Sequence, residues 1–140
     1  MYLLDTNVLS ELMRAAPSPA LLAWMDAQAG QELFICAITR AEIELGITLL
    51  PQGKRRTALA VQAQAMFDED FAGRCLPFDE RCAPLYADLV ASRTRQGLPI
   101  SVEDAQIAAI SLANQKNLAT RNTSDFLKIT GLSLTNPWLT

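Results

Sequence analysis

The first residues of the chain limit its fold most strongly, because an apolar run there stops abruptly at an acid. Tyr2, Leu3 and Leu4 form a run long enough for a buried strand, and Asp5 follows, ahead of residues that favour helix caps and turns. Open parallel sheets bind ligands in the crevice just outside the carboxyl ends of their strands. Asp5 therefore has two interpretations: it caps the next helix, or it lies in a functional crevice.

Short apolar strands alternate with helical segments along the whole chain. Strands are predicted at residues 2–4, 33–36, 74–77, 118–120 and 132–134. Helices are predicted at residues 7–13, 20–29, 39–50, 54–71, 80–96 and 101–115, with a helical turn at 124–128. This alternation predicts an α/β domain with a mainly parallel sheet covered on both faces. With 140 residues, half of them hydrophobic, we expect a single domain spanning residues 1–140.

The composition excludes several kinds of catalytic site. The chain has no histidine, which removes imidazole bases, serine or cysteine triads and every histidine-ligated metal site. Its cysteines, at positions 36, 75 and 82, are odd in number and contain no Cys-x-x-Cys pair, so each is expected to be a reduced core residue. Any catalysis must use carboxylates, hydroxyls, amides, lysine or arginine.

The charge and hydropathy of the chain restrict its partners only weakly. A net charge of -3 gives no basic field typical of nucleic-acid binding, although residues 54–56, Arg93 and Arg95 have two interpretations, phosphate contacts or solvated helix surface. No apolar run approaches the roughly 20 residues that a transmembrane helix needs. The first residues also lack the pattern of a secretory signal, so a cytoplasmic protein is expected.

Four carboxylates recur at comparable places in the predicted layout. Asp5 ends the first strand, Glu42 and Asp104 lie near helix starts, and Asp125 follows the fourth strand. Each acid has a structural interpretation too, because helix starts favour negative charge and Ser101 with Asp104 resembles a capping box. Acids that meet in one crevice would repel one another unless a cation neutralised them. Mg²⁺ or Mn²⁺ suits such an oxygen-only site, and the implied reaction is hydrolysis of a phosphodiester or phosphate ester.

Four sequence blocks resemble the PIN-domain ribonucleases, in particular the VapC and FitB toxins of type II toxin-antitoxin pairs. The blocks are LLDTNVLSE at 3–11, ITRAE at 38–42, EDAQIAA at 103–109 and ATRNTSDF at 119–126. The Asn-Pro-Trp sequence at 136–138 is similar to a common ending of the FitB-like group. Together they span nearly the whole chain in the expected order.

The resemblance implies a Mg²⁺- or Mn²⁺-dependent endoribonuclease on an α/β/α sandwich with about five strands. It also implies a homodimer, a small antitoxin with a DNA-binding head as partner, and RNA as substrate. Asp5 and Asp104 match the metal-binding acids, and Glu42 matches the third. The fourth position corresponds to Asn122 or Asp125, of which Asp125 is favoured because it is an acid.

Other residues beside these acids have supporting roles in the same interpretation. Thr6, Asn7, Thr120 and Asn122 are expected to position an acid, a water or a phosphate oxygen, and Arg121 is a candidate RNA phosphate contact. Thr6 and Thr120 have equally good interpretations as a helix cap and a strand end, and Arg121 as a charge that balances the acids. The remaining acids are interpreted as helix-face residues, and one of them, Glu103, is expected to point about 100° away from Asp104 and to be solvated; they are Glu11, Glu44, Asp88 and Glu103.

Two other functions remain open from the sequence. The first is a Mg²⁺-dependent phosphatase or phospho-acceptor domain with Asp5 as nucleophile, although no lysine lies near the motifs of Asp5 or Asp104. The second is a catalytically silent domain that only binds a partner. The apolar stripes of the first two helices and of segment 54–71 are expected to receive a partner's helix.

Overall fold

The computed structural model describes residues 1–28 and 32–139. Its strands are β1 (Tyr2–Leu4), β2 (Leu33–Cys36), β3 (Cys75–Leu76), β4 (Asn117–Ala119) and β5 (Leu134–Thr135). Its α-helices are α1 (Thr6–Leu12), α2 (Pro19–Asp26), α3 (Ala37–Thr48), α4 (Lys54–Ala65), α5 (Cys82–Arg95) and α6 (Val102–Ala113). A π-helical turn, Met66–Asp70, follows α4, and short 3₁₀ turns cover Thr123–Phe126 and Pro137–Leu139.

The five strands form one parallel sheet in the order β3-β2-β1-β4-β5. The chain builds one half of the sheet outward from β1 through β2 to β3, and the other half from β4 to β5. The strand order therefore reverses between β1 and β4, and such a switch point opens a crevice at the carboxyl ends of the two strands. Asp5 follows β1 at this point, and Leu4 is paired with Ala119 beside it.

Both faces of the sheet are covered, so adjacent residues of one strand enter different cores. Leu4 packs in the core with α1, α2, α3 and α4, whereas Leu3 packs in the core with α5 and α6, and both side chains are fully buried. This two-sided burial explains the unbroken apolar run before Asp5. The predicted α/β/α sandwich is confirmed.

Several predicted boundaries move for local reasons. Helix α3 begins at Ala37, directly after β2, so no loop separates the strand from the helix. The predicted helix 54–71 changes from α-helical to π-helical hydrogen bonding at Met66. The last strand begins two residues later than predicted, because the Leu132 N–H donates to the carbonyl of Ile129 in a turn. The predicted end of the second helix at Ala29 and Gly30 lies outside the described residues.

The cysteine prediction holds for two of the three residues. Cys36 and Cys82 are buried, but Cys75 is exposed because it lies on the edge strand β3, and all three are free thiols. Within residues 1–28 and 32–139, every helix is too short or too polar to cross a bilayer.

Candidate active site

Asp5 combines the two roles that the sequence left open. It is the N-cap of α1, with Oδ1 accepting a hydrogen bond from the Thr6 N–H at 2.8 Å. Its side chain also lines a cavity of about 590 Å³ at the carboxyl edge of the sheet. Only 4% of the residue's surface is exposed. The backbone bond that caps the helix thus also fixes the direction of the carboxylate.

The second carboxylate oxygen of Asp5 is held by side chains from both sides of the switch point. The Thr120 hydroxyl donates to Oδ2 at 2.8 Å, and the Asn7 amide donates to the same oxygen at 3.1 Å. The Asn7 amide also lies 3.1 Å from Thr120 Oγ1, while Asn7 Oδ1 accepts from the Arg121 N–H. These bonds join α1 to the loop after β4. The predicted supporting positions of Asn7 and Thr120 are therefore beside Asp5.

Glu42 reaches the same cavity from the second turn of α3. The Thr6 hydroxyl donates to Glu42 Oε1 at 2.7 Å and lies 3.2 Å from the hydroxyl of buried Thr39. Thr6 therefore joins the start of α1 to α3 through its side chain, while its backbone N–H binds Asp5. One residue thus fixes two of the predicted acids relative to each other.

Asp104 enters the cavity from the first turn of α6. Ser101 is the N-cap of this helix, and its hydroxyl accepts a hydrogen bond from the Asp104 N–H at 3.1 Å. The backbone half of the predicted capping box is therefore present, while the Asp104 side chain lines the cavity. The neighbouring acid Glu103 is exposed, as predicted from its direction on the helix.

Asp125, Asn122 and Arg121 form the far wall of the cavity, in the segment after β4. All three are exposed on its rim. The Asn122 N–H donates to Thr120 Oγ1, and the Asp125 N–H donates to the Asn122 carbonyl. The Arg121 guanidinium lies 5.3 Å from the centre of the Trp138 ring, at a cation-π distance.

The pKa values of Asp5, Glu42 and Asp104 are all raised, in part by the negative charges of neighbouring acids. The pKa of Asp104 is raised from 3.8 to about 6, mainly by burial and then by the charges of Asp5, Asp125 and Glu42. Burial also raises the pKa of Asp5, although hydrogen bonds from Thr120, Thr6 and Asn7 oppose this change. The pKa of Glu42 is raised by burial as well, and then by Asp5 and Glu103. The cavity therefore holds more negative charge than its own donors neutralise.

These acids surround a cavity and do not close on a single point. In the part of the chain that the structure describes, no three carboxylate or thiol side chains converge tightly enough to hold one ion between them. The donor set itself suits a hard cation, because it contains carboxylates and amides without histidine or thiolate.

Helix α1 and the residues just after it contribute three further cavity residues that were missed or misjudged from the sequence. Ser10, Glu11 and Arg14 line the cavity together with Asn7. Glu11 was interpreted as a helix-face acid, but it is only 7% exposed, accepts a hydrogen bond from the Ser18 N–H and pairs with Arg14 at 3.4 Å. Ser10 and Glu11 lie three and four residues after Asn7 and so share its helix face, which was the available signal, whereas Arg14 lies beyond the end of α1.

Asp104 should make the stability of the metal-free protein depend on pH. Its folded-state pKa of about 6 lies above its ordinary value of 3.8, so the folded state binds the proton more tightly and loses stability as pH rises through this range. We expect Asp104→Asn to be more stable than the wild type above about pH 6, with a gap that shrinks towards about pH 4. Urea unfolding in EDTA measures this gap, with exposed Asp88→Asn, away from the cavity, as the control. A gap independent of pH would contradict the assignment.

Comparisons with known proteins find relatives that match nearly the whole chain. Residues 2–132 match the PIN domain family. A VapC ribonuclease of Sinorhizobium fredii is 44% identical over 138 residues, covering 99% of this chain and 98% of the relative. Toxin FitB of Neisseria gonorrhoeae is 38% identical over 138 residues, covering 99% of each. The structure of FitAB bound to a DNA fragment is 38% identical with a TM-score of 0.90, and the match covers 99% of this chain and 96% of that one. The chain belongs to the PIN-domain family.

Proposed function

We propose that this protein is a divalent-metal-dependent endoribonuclease that acts as the toxin of a toxin-antitoxin pair. The observation that carries the proposal is the set of four acids, Asp5, Glu42, Asp104 and Asp125, which line one cavity at the switch point of the sheet. The relatives named VapC ribonuclease and toxin FitB, each matched along nearly its whole length, support RNA as the substrate and toxicity as the role.

The same four acids are the proposed holders of Mg²⁺ or Mn²⁺. A bound ion of this kind polarises a phosphoryl oxygen and lowers the pKa of a coordinated water. The acids line the cavity without meeting at one point, and Mg²⁺ is commonly held in proteins by only one or two carboxylates together with water. The raised pKa of Asp104, caused first by burial and then by the neighbouring acids, supports this proposal, since a cation would favour its charged form.

The side chains around the acids have proposed roles in orienting them. Thr120 and Asn7 hold Asp5, and Thr6 holds Glu42, so the acids keep their direction before any ion or substrate arrives. For the fourth position, Asp125 is favoured over Asn122, because the charge of Asp125 raises the pKa of both Asp5 and Asp104. Asn122 instead contributes its backbone N–H to Thr120.

Arginines at the rim are the proposed contacts for RNA phosphates. Arg121 is exposed beside the acids and lies at a cation-π distance from the Trp138 ring, and exposed Arg14 lies just after α1 on the lining of the cavity. Phosphate contacts of this kind position a nucleic acid without reading its sequence. The acids in the cavity and the cations around it together suit a polyanion that brings its scissile phosphate to a metal.

The structure disfavours the phosphatase or phospho-acceptor alternative. Both carboxylate oxygens of Asp5 already accept hydrogen bonds, one from Thr6 and the other from Asn7 and Thr120. No lysine is among the described residues that line the cavity, so the usual cation beside an aspartyl phosphate is absent there. Asp5 is therefore better suited to hold a cation than to attack phosphorus.

The proposed antitoxin site is a groove that adjoins the cavity. It has a volume of about 940 Å³, lies between α1, α3 and α4, and shares Thr6, Ser10, Arg14 and Glu42 with the cavity. Its apolar lining comes from Met13, Ile43, Ile47, Leu50 and Leu59. A partner helix in this groove would approach the acids directly. Of the three helical segments expected to receive a partner, α2 does not line this groove, and its Leu21 and Trp24 are buried in the core.

The homodimer, the single-domain organisation and the cytoplasmic location stay predictions. The proposed metal site does not depend on any of them.

Asp5→Asn and Asp104→Asn should each reduce Mn²⁺-dependent RNA cleavage by more than about 100-fold. Loss of a residue that only hydrogen-bonds to a metal ligand typically costs about 10- to 100-fold, and loss of a ligand itself should cost more. Both variants should keep the circular dichroism of the wild type, because asparagine preserves the side-chain size. Cleavage of total cellular RNA with and without Mn²⁺ measures the effect, and exposed Asp88→Asn is the matched control. Full activity in both variants would refute the site, and a wild type that Mn²⁺ neither stabilises nor activates would indicate a silent domain.

Gly46 offers a test of the groove that leaves the fold intact. It lies on the groove in the middle of α3, and a Cβ built there meets no atom within 4 Å. Gly46→Ala should stabilise the helix by about 1 kcal/mol and leave binding of the adjacently encoded antitoxin unchanged. Gly46→Glu should weaken that binding at least tenfold, because it places a charge against the partner's apolar face. Titration calorimetry compares the two variants, and equal affinities would place the antitoxin elsewhere.

A further inference from the structure

Arg93 is a buried cation that the proposed function does not yet use. It lies in the last turn of α5, and only 5% of its surface is exposed. Neither interpretation taken from the sequence, a phosphate contact or solvated surface, describes it. A buried guanidinium is costly unless its donors are satisfied, so its partners indicate what it does.

The guanidinium donates four hydrogen bonds, and each acceptor is a main-chain carbonyl oxygen. Nε donates to Leu98 at 2.9 Å and Nη2 to Pro99 at 3.3 Å. Nη1 donates to Asp125 at 3.1 Å and to Leu127 at 2.7 Å. The acceptors belong to two segments that are distant in sequence. Arg93 therefore joins the loop before α6 to the turn after β4.

Each of these segments leads to one of the proposed metal acids. Leu98 and Pro99 lie in the loop before Ser101, which is the N-cap of α6, and the first turn of α6 carries Asp104. The other segment contains Asp125 itself. Asp104 and Asp125 line the same cavity, so the separation between them determines whether both can reach one cation. The planar fork of Arg93 holds both main chains at once.

We infer that Arg93 is a positioning residue that sets the separation of Asp104 and Asp125, and so tunes cation affinity without touching the cation. This inference rests on the proposed function, because it requires a metal site at these acids. Lysine cannot replace Arg93 in this role. Its three donors share one nitrogen, whereas the guanidinium reaches two loops from three separate nitrogens.

The test measures Mn²⁺ affinity by titration calorimetry in Arg93→Lys and Arg93→Met, with Arg95→Met as the control. Arg95 is exposed in the same turn of α5. We expect both Arg93 variants to bind Mn²⁺ about 10- to 100-fold more weakly, in the range for residues that orient metal ligands. The control should bind like the wild type. Arg93→Lys keeps the charge and is included because Arg93→Met leaves several carbonyls without donors.

A double-mutant cycle separates positioning from general stability. In the Asp125→Asn background, Arg93→Lys should cause less than about a threefold further loss of Mn²⁺ affinity, because its effect passes through Asp125. Wild-type Mn²⁺ affinity in Arg93→Lys would overturn the inference. So would a fold-loss of affinity in the double variant equal to the product of the two single losses, because the two residues would then act independently. Unfolding of both Arg93 variants would also overturn it, since Arg93 would then serve the fold as a whole. If the wild-type protein itself bound no Mn²⁺, that result would refute the proposed function on which this inference rests.

Discussion

The burial of a carboxylate at the end of the central strand is the constraint on which the rest of the site depends. Asp5 has almost no contact with solvent, so its charge must be supported by donors from the protein. A backbone N–H from α1 and side-chain donors from Asn7 and Thr120 give this support. Because Thr120 follows β4, the support exists only when β1 and β4 are paired. The fold and the direction of the carboxylate are therefore established together.

The other acids add partly buried charges that repel one another and that the donors do not neutralise. Burial first, and then the neighbouring acids, raise the pKa of Asp104 to about 6, and the pKa values of Asp5 and Glu42 are raised for the same reasons. A protein selected only for stability would have little reason to gather these charges at one edge of its sheet. The stability lost above pH 6 is the expected cost of a site that is ready for a cation.

Local sequence patterns were sufficient to predict most of the fold and the position of the four acids along one edge of the sheet. The apolar run before Asp5 and the helix start at Ser101 are short-range signals, and both places have the predicted structure. Local patterns could not predict which charged side chains become buried by contacts that only the folded chain makes. From the sequence, Glu11 was interpreted as a helix-face acid, but in the folded chain it accepts a hydrogen bond from the Ser18 N–H. Arg93 looked like a surface cation, because its partners lie in two loops that only the folded chain brings together.

Anomalous scattering from crystals soaked in Mn²⁺ would show directly whether the acids at this edge of the sheet form a metal site. We expect a peak within about 2.5 Å of carboxylate oxygens of both Asp5 and Asp104, a distance typical of hard cations in proteins. A saturating soak that leaves these carboxylates without a peak, while the same protein still cleaves RNA, would contradict the metal site.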